Sequence, residues 1–113
     1  MEFWEKLDKI LISHEIIIDR PKGTTHPKHS EIVYPFDYGY LKGTCGGDGN
    51  EIDICRGTRS DNGLTAVICT VDSLKQDAEM KLLVGCTDNE MILINQFYNS
   101  NSMSGIIVKR PVL

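Results

Sequence analysis

The sequence predicts a mainly β domain, a compact antiparallel barrel with flanking helices, and three observations carry that reading. Short β-branched and aromatic runs recur between glycine, proline and asparagine turns. An amphipathic segment precedes these runs, and a second one follows a capping signal near the end. A chain of 113 residues has room for one core. Residues 1–113 are therefore read as a single domain, with helices over about 2–12 and about 88–99.

The elements follow in order. Phe3, Trp4, Leu7, Ile10 and Leu11 draw one apolar stripe on a helix, with Glu2, Glu5, Lys6 and Asp8 opposite. Glu15 to Asp19 is a β-branched strand, ended by Arg20-Pro21-Lys22-Gly23, and a polar loop rich in His and Lys fills 24–30. Phe36 to Leu41 is an aromatic strand in which Gly39 leaves one spot for a ligand or another backbone to come close. A glycine-rich turn from Gly43 to Asn50 carries Asp48. In Glu51-Ile52-Asp53-Ile54-Cys55, Ile52 and Ile54 face the core and Asp53 faces the opposite way. Leu64–Val71 and Met80–Val84 are further strands. Thr87 and Glu90 form a capping box ahead of the apolar face Met91, Ile92, Ile94, Phe97 and Tyr98, and 105–108 closes as a short strand.

Composition excludes several function classes. An apolar fraction of 41% with 25% charged residues is that of a folded soluble domain, not a disordered chain. The apolar runs fall far short of the ~20 residues a bilayer span needs, so no membrane partner is expected. Met1 to Lys6 lacks a secretory pattern, which makes the cytoplasm the expected location. Cys45, Cys55, Cys69 and Cys86 form no CxxC pair and are expected as free thiols. A net charge of -4 argues against a nucleic-acid partner, including the single-strand binding that small barrels support.

Chemistry concentrates in Asp48-Gly49-Asn50-Glu51-Ile52-Asp53-Ile54, where two carboxylates at a turn and strand start can reach one hard cation. It follows Tyr34-Pro35-Phe36-Asp37-Tyr38-Gly39-Tyr40. The pair resembles the Y-P-x-x-Y-G-Y segment and the D-x-D-[PE]-φ-D-φ signature of family I soluble inorganic pyrophosphatases. The likeness extends upstream to Ile18-Asp19-Arg20-Pro21 and downstream to Asp72, Asp77-Ala78-Glu79-Met80-Lys81-Leu82 and Phe97-Tyr98.

The resemblance implies an OB-like five-stranded barrel that hydrolyses pyrophosphate, or a related phosphoanhydride, to phosphate with Mg²⁺, in a homo-oligomer. It implies Asp48, Asp53 and Asp72, with Asp77 or Glu79, as metal ligands. Asp53 would also serve in catalysis with Tyr38, which orients the attacking water, and Lys81. Lys81 and Tyr98 would contact phosphate. Three departures from the family pattern stand in this chain. Asn50 replaces the family's middle aspartate at a catalytic position, and an amide takes no proton from water at neutral pH. Asn99 replaces the lysine beside Tyr98, and the arginine-bearing hairpin is absent. Substitute cations are expected from Lys28 or its neighbours Arg20, Lys22, His26 and His29. A weakly active or non-catalytic phosphate-binding or metal-binding module is the alternative.

Overall fold

The structure, a computed structural model, describes residues 2–112. Helix α1 (Glu2–Ser13) leads into strands β1 (Ile16–Arg20), β2 (Asp37–Leu41), β3 (Asp53–Arg56), β4 (Leu64–Asp72) and β5 (Asp77–Val84). Helix α2 (Asp88–Phe97) and strand β6 (Met103–Lys109) complete the chain. The strands form one sheet in the order β1-β2-β3-β5-β4-β6. All neighbours run antiparallel except β3 and β5, which pair in parallel across Ile54–Leu82, Cys55–Leu83 and Arg56–Val84.

The mainly β class with flanking helices holds, but the expected five-stranded barrel does not. The sheet has six strands, and among the described residues no ladder joins β1 to β6. The physical reason lies in the two faces of the central strands. Leu82 and Val84 of β5 join Ile54, Val67 and Leu41 under Trp4, Leu7 and Leu11 of α1. Leu83, between them, joins Cys55, Ala66 and Ile68 under Met91, Ile94 and Tyr98, together with Tyr34 and Phe36. Helices bury both faces, so the sheet does not have to close on itself to remove its apolar surface from water.

Local signals explain the joints. Thr87 Oγ1 accepts from the Glu90 amide, and Glu90 Oε1 accepts from the Thr87 amide at 2.9 Å, closing the predicted capping box. On α1, Trp4, Leu7 and Leu11 are buried, while Phe3 at the end of the stripe stays half exposed. Asp8 receives both arms of the Arg110 guanidinium, at 2.7 and 2.8 Å, which ties α1 to the residue after β6. A Cβ at Gly39 would stand 1.8 Å from the Ile17 carbonyl oxygen, so the close approach expected there is made by the β1 backbone. Beyond the reach of α1, Val71, Met80, Ile106 and Val108 remain exposed on three adjacent strands. No helix is long and apolar enough to cross a membrane.

Candidate functional site

Strand β5 passes from solvent into the core along its length, its last four residues being fully buried. Lys81 is the first of those four. It alternates with Glu79 and Leu83, so its side chain falls on the α2 face, where the apolar core gives way to polar groups. Its side chain is only 5% exposed, and a buried ammonium requires compensation. Nζ donates to Asp53 Oδ2 and to Glu79 Oε2, each at 2.8 Å. It also stands 5.5 Å from the ring centroids of Tyr38 and Tyr98. Burial works against the Lys81 charge, but Tyr38, Asp53 and Glu79 outweigh it and hold the group above its ordinary pKa.

The register of the sheet explains the convergence. Tyr38 pairs with Cys55 and Tyr40 with Asp53 across β2–β3, while Cys55 pairs with Leu83 across β3–β5. Tyr38, Asp53 and Lys81 therefore come from three side-by-side strands. Burial pushes the Tyr38 phenol well above its usual range, and a hydrogen bond to the Asp53 carboxylate acts in the same direction. Asp48 lies beside this cluster on the exposed turn. The Asn50 amide donates to its Oδ1 at 3.0 Å, and that bond, with a further one involving Glu79, holds the Asp48 carboxyl below the usual range.

A second cation approaches Tyr38 from β1. The register of β1 shifts between Ile18 and Arg20, and this bulge pairs Arg20 with Tyr38. The Arg20 guanidinium stands 5.3 Å from the Tyr38 centroid and 5.5 Å from that of Tyr34, and it donates to the Tyr34 hydroxyl. Sequence reading placed Arg20 only as one of several substitute cations. A bulge at the end of a strand leaves no signal in composition or spacing.

Other expected site residues lie apart from this cluster or point elsewhere. Tyr98 is 4% exposed, and its hydroxyl faces Cys55 Sγ at 3.9 Å, so that hydroxyl points into the core. Asp72 is occupied with the β4–β5 turn. It accepts from the amides of Leu74 and Lys75 and from Ser102 Oγ, at 3.0, 3.2 and 2.9 Å, and these bonds hold it below the usual carboxylate range. Asp77 pairs with Asp72 at the same end, four residues or about 13 Å along the strand from Lys81. Lys28 is exposed on the loop, its amide donating to His26 Nδ1 at 3.0 Å. Asn50 is exposed beside Asp48. Asn99, where the resembled family has lysine, takes a structural position: its amide group exchanges two 3.0 Å hydrogen bonds with the Gly105 backbone and fastens the end of α2 to the outer edge of β6.

The expected acids thus converge only in part. Among the described residues, no three of His, Cys, Asp and Glu stand close enough to hold a metal ion. Between Asp53 and Glu79 the ammonium of Lys81 already fills the cation position. These residues do not fit a preformed multi-metal centre. Clefts of about 490 Å³ beside α1 and about 720 Å³ between α2 and β6 lie elsewhere, and neither is lined by Asp53, Glu79 or Lys81. In the candidate site Lys81 is buried, while Asp53 and Glu79 are each about a quarter exposed.

Comparison with known proteins agrees with the architecture. No family model matches the sequence. No curated protein matches it either. Among solved structures, the chain is similar to an inorganic pyrophosphatase from Helicobacter pylori, with a TM-score of 0.58 and 14% identity over 86% of this chain and 85% of that one. It is similar to an inorganic phosphatase from Anaplasma phagocytophilum, with a TM-score of 0.57 and 14% identity over 83% and 81% of the two chains. An inorganic pyrophosphatase from Neisseria gonorrhoeae gives a TM-score of 0.51 and 15% identity over 80% and 71%. At such identities the likeness is one of fold: the chain has the fold of inorganic pyrophosphatases.

Proposed function

We propose that this protein hydrolyses inorganic pyrophosphate to two phosphates at the α2 face of the sheet, taking it as the magnesium complex. The observation that carries this reading is Lys81 held between Asp53 and Glu79 under Tyr38, on a fold shared with inorganic pyrophosphatases. Asp48, Asp53 and Glu79 against the single ammonium of Lys81 leave the floor net negative. Such a floor repels a bare polyanion but accepts one that arrives with its cation, so magnesium belongs here to the substrate.

In the reaction, a water oxygen forms a bond to one phosphorus and the bridging P–O bond breaks. The water gives up a proton to a floor carboxylate, and the leaving phosphate departs with the bridging oxygen. Asp53, fixed by hydrogen bonds from Tyr38 and Lys81, is the acceptor we assign. Lys81 balances the charge that builds up as the bridging bond breaks, in a site where burial strengthens its field. Arg20, beyond Tyr38, offers a planar fork to the far phosphate.

Phosphate release from pyrophosphate with excess Mg²⁺ tests the proposal. Release proportional to protein concentration, and abolished by chelation, is the expected result. No release above buffer at high protein concentration would overturn it. The geometry also favours a second reading, a binding module without turnover, because Asn50 offers no proton acceptor and the acids form no metal group of their own. Calorimetric binding of magnesium pyrophosphate without product formation is the result that would select it.

A further inference from the structure

Strands β4, β5 and β6 carry five charged side chains between them, Asp72, Asp77, Glu79, Lys81 and Lys109, and alternation puts all five on the α2 face. Neighbours along each strand fix the facing. Ile68 and Leu83 lie in the core under α2 and Ile107 packs against it, while Val67 and Leu82 lie under α1. The α1 face of the same three strands therefore carries no charge. Helix α1 covers Val67, Leu82 and Val84 there, and beyond it the strands run on into solvent. Cys69 is the centre of this open part: it pairs with Met80 across β4–β5 and with Ile106 across β4–β6. Val71 follows two residues along β4, and Val108 stands across from Val67.

Val71 is 49% exposed, Met80 38%, Ile106 66% and Val108 44%, and Cys69 is exposed among them. These four side chains present about 350 Å² of apolar surface, and Cys69, Ala78 and Ser104 extend the patch to on the order of 500 Å², a size at which apolar surface on a soluble chain marks a contact site. Whatever covers it must be apolar and must tolerate a chain whose net charge is -4. An anionic lipid surface fails the second condition, and Arg110, two residues beyond Val108, is already held by Asp8. A second copy meets both conditions. A charge-free patch can face itself about a two-fold axis without opposing like charges, and two such patches would remove about 1,000 Å² from water, the size at which specific contacts begin.

We propose that the protein is a two-fold dimer in which the open part of the α1 face packs, sheet on sheet, against its counterpart on a second copy, with Cys69 at the centre of the contact. Both Asp53–Lys81 floors lie on the opposite face and stay open to ligands in this arrangement. The inference stands on residue facing, exposure and charge, and is independent of turnover.

Sedimentation velocity on the full chain, from micromolar to millimolar concentration, would read the assembly, and iodoacetamide alkylation followed by peptide mass spectrometry would read the contact. The expected result is a reversible monomer–dimer equilibrium in which alkylation of Cys69 falls about fivefold as the dimer forms, measured against Cys45, which is exposed outside this face. Ile106→Lys should raise the dimer dissociation constant about 100-fold and return Cys69 to the reactivity it has in dilute protein. Val71→Lys, on the neighbouring strand, should do the same, so the result does not hang on one substitution in an edge strand. Ile92→Lys, on the exposed surface of α2, should leave the dimer intact, and urea unfolding of dilute protein shows that each variant is folded. A chain that stays monomeric throughout, or a dimer that survives Ile106→Lys and Val71→Lys while Cys69 stays reactive, overturns the inference. So does a monomer that sediments with phosphatidylcholine vesicles unless Ile106 is changed to Lys, which would give the face to lipid.

Discussion

The two faces of one sheet are packed by different chemistry. Under α1 lie Leu41, Ile54, Val67, Leu82 and Val84 with Trp4, Leu7 and Leu11, a core with no titratable side chain. Under α2 lie Tyr34, Phe36, Cys55, Cys86 and Tyr98, with Tyr38 packed against them and Lys81 at the border. Adjacent residues of β5 serve the two purposes: Leu82 goes to the first face, and Lys81 and Leu83 to the second. The difference shows how a small domain divides its tasks. The apolar face supplies stability by burial alone, which leaves the other face free to keep an ammonium and several hydroxyl and thiol groups dry, where their fields act strongly.

The largest effect that separates the faces is on turnover. Asp53→Asn keeps the shape of the floor but removes the proton acceptor, so phosphate release should fall about 10²-fold to 10⁴-fold, and the urea midpoint should fall with the loss of one of the two carboxylates that compensate the buried Lys81 ammonium. An equal loss from a substitution on the α1 face would break the comparison. Next, Leu82→Ala empties a fully buried site under α1 and should cost about 2–5 kcal/mol in urea unfolding, without altering the order of preference among phosphate ligands. Lys81→Met leaves Asp53 and Glu79 facing each other without their cation. Because both acids are about a quarter exposed, the expected cost is about 1–3 kcal/mol, less than for a fully enclosed pair, and ligand binding should drop with it.

The faces also differ in their response to alkali. Cys55 and Cys86 are pushed by burial from an ordinary 9.0 up to about 12, and Tyr38 and Lys81 are raised as well. In each case the folded state holds its proton longer than the unfolded chain. Their contribution is complete below pH 9 and is lost as pH rises toward 12. The urea midpoint should stay level up to about pH 9 and then decline, and Cys55→Ala should flatten the decline between pH 9 and 11. A midpoint that rises over that interval would contradict these environments. The smallest effect is expected at Asp8→Ala, which removes the part-exposed pair to Arg110 and should cost less than about 1 kcal/mol in the same measurement.

Much of this division was legible in the sequence. The α1 stripe, the Thr87–Glu90 capping box and the opposite facing of Ile54 and Asp53 follow from periodicity and capping chemistry, and all three are found in the structure. The resemblance named Asp53, Lys81 and either Asp77 or Glu79 for the site, but that Lys81 sits between Asp53 and Glu79 as their cation is not carried by the sequence. The sequence does not carry what depends on pairing across long separations. The parallel β3–β5 ladder and the open order of the sheet are of that kind, and they replace the expected barrel. So are the direction of the Tyr98 hydroxyl toward Cys55 and the use of Asp72 to hold a turn. Asn99 teaches the same lesson in reverse. As a substitution it suggested a lost phosphate ligand, yet its amide geometry suits the Gly105 backbone, which only tertiary structure brings within reach.

The most direct test of the account is where a phosphate ligand lands. A titration of ¹⁵N-labelled protein with magnesium pyrophosphate, read residue by residue, should move the amides of 48–53 and 79–81 together with those around Arg20 and Tyr38, and leave Leu7, Leu11 and Leu64 still. Shifts gathered instead around Asp8, His14, Arg56 and Asp61, which line the cleft beside α1, would place the ligand on the wrong face and contradict it.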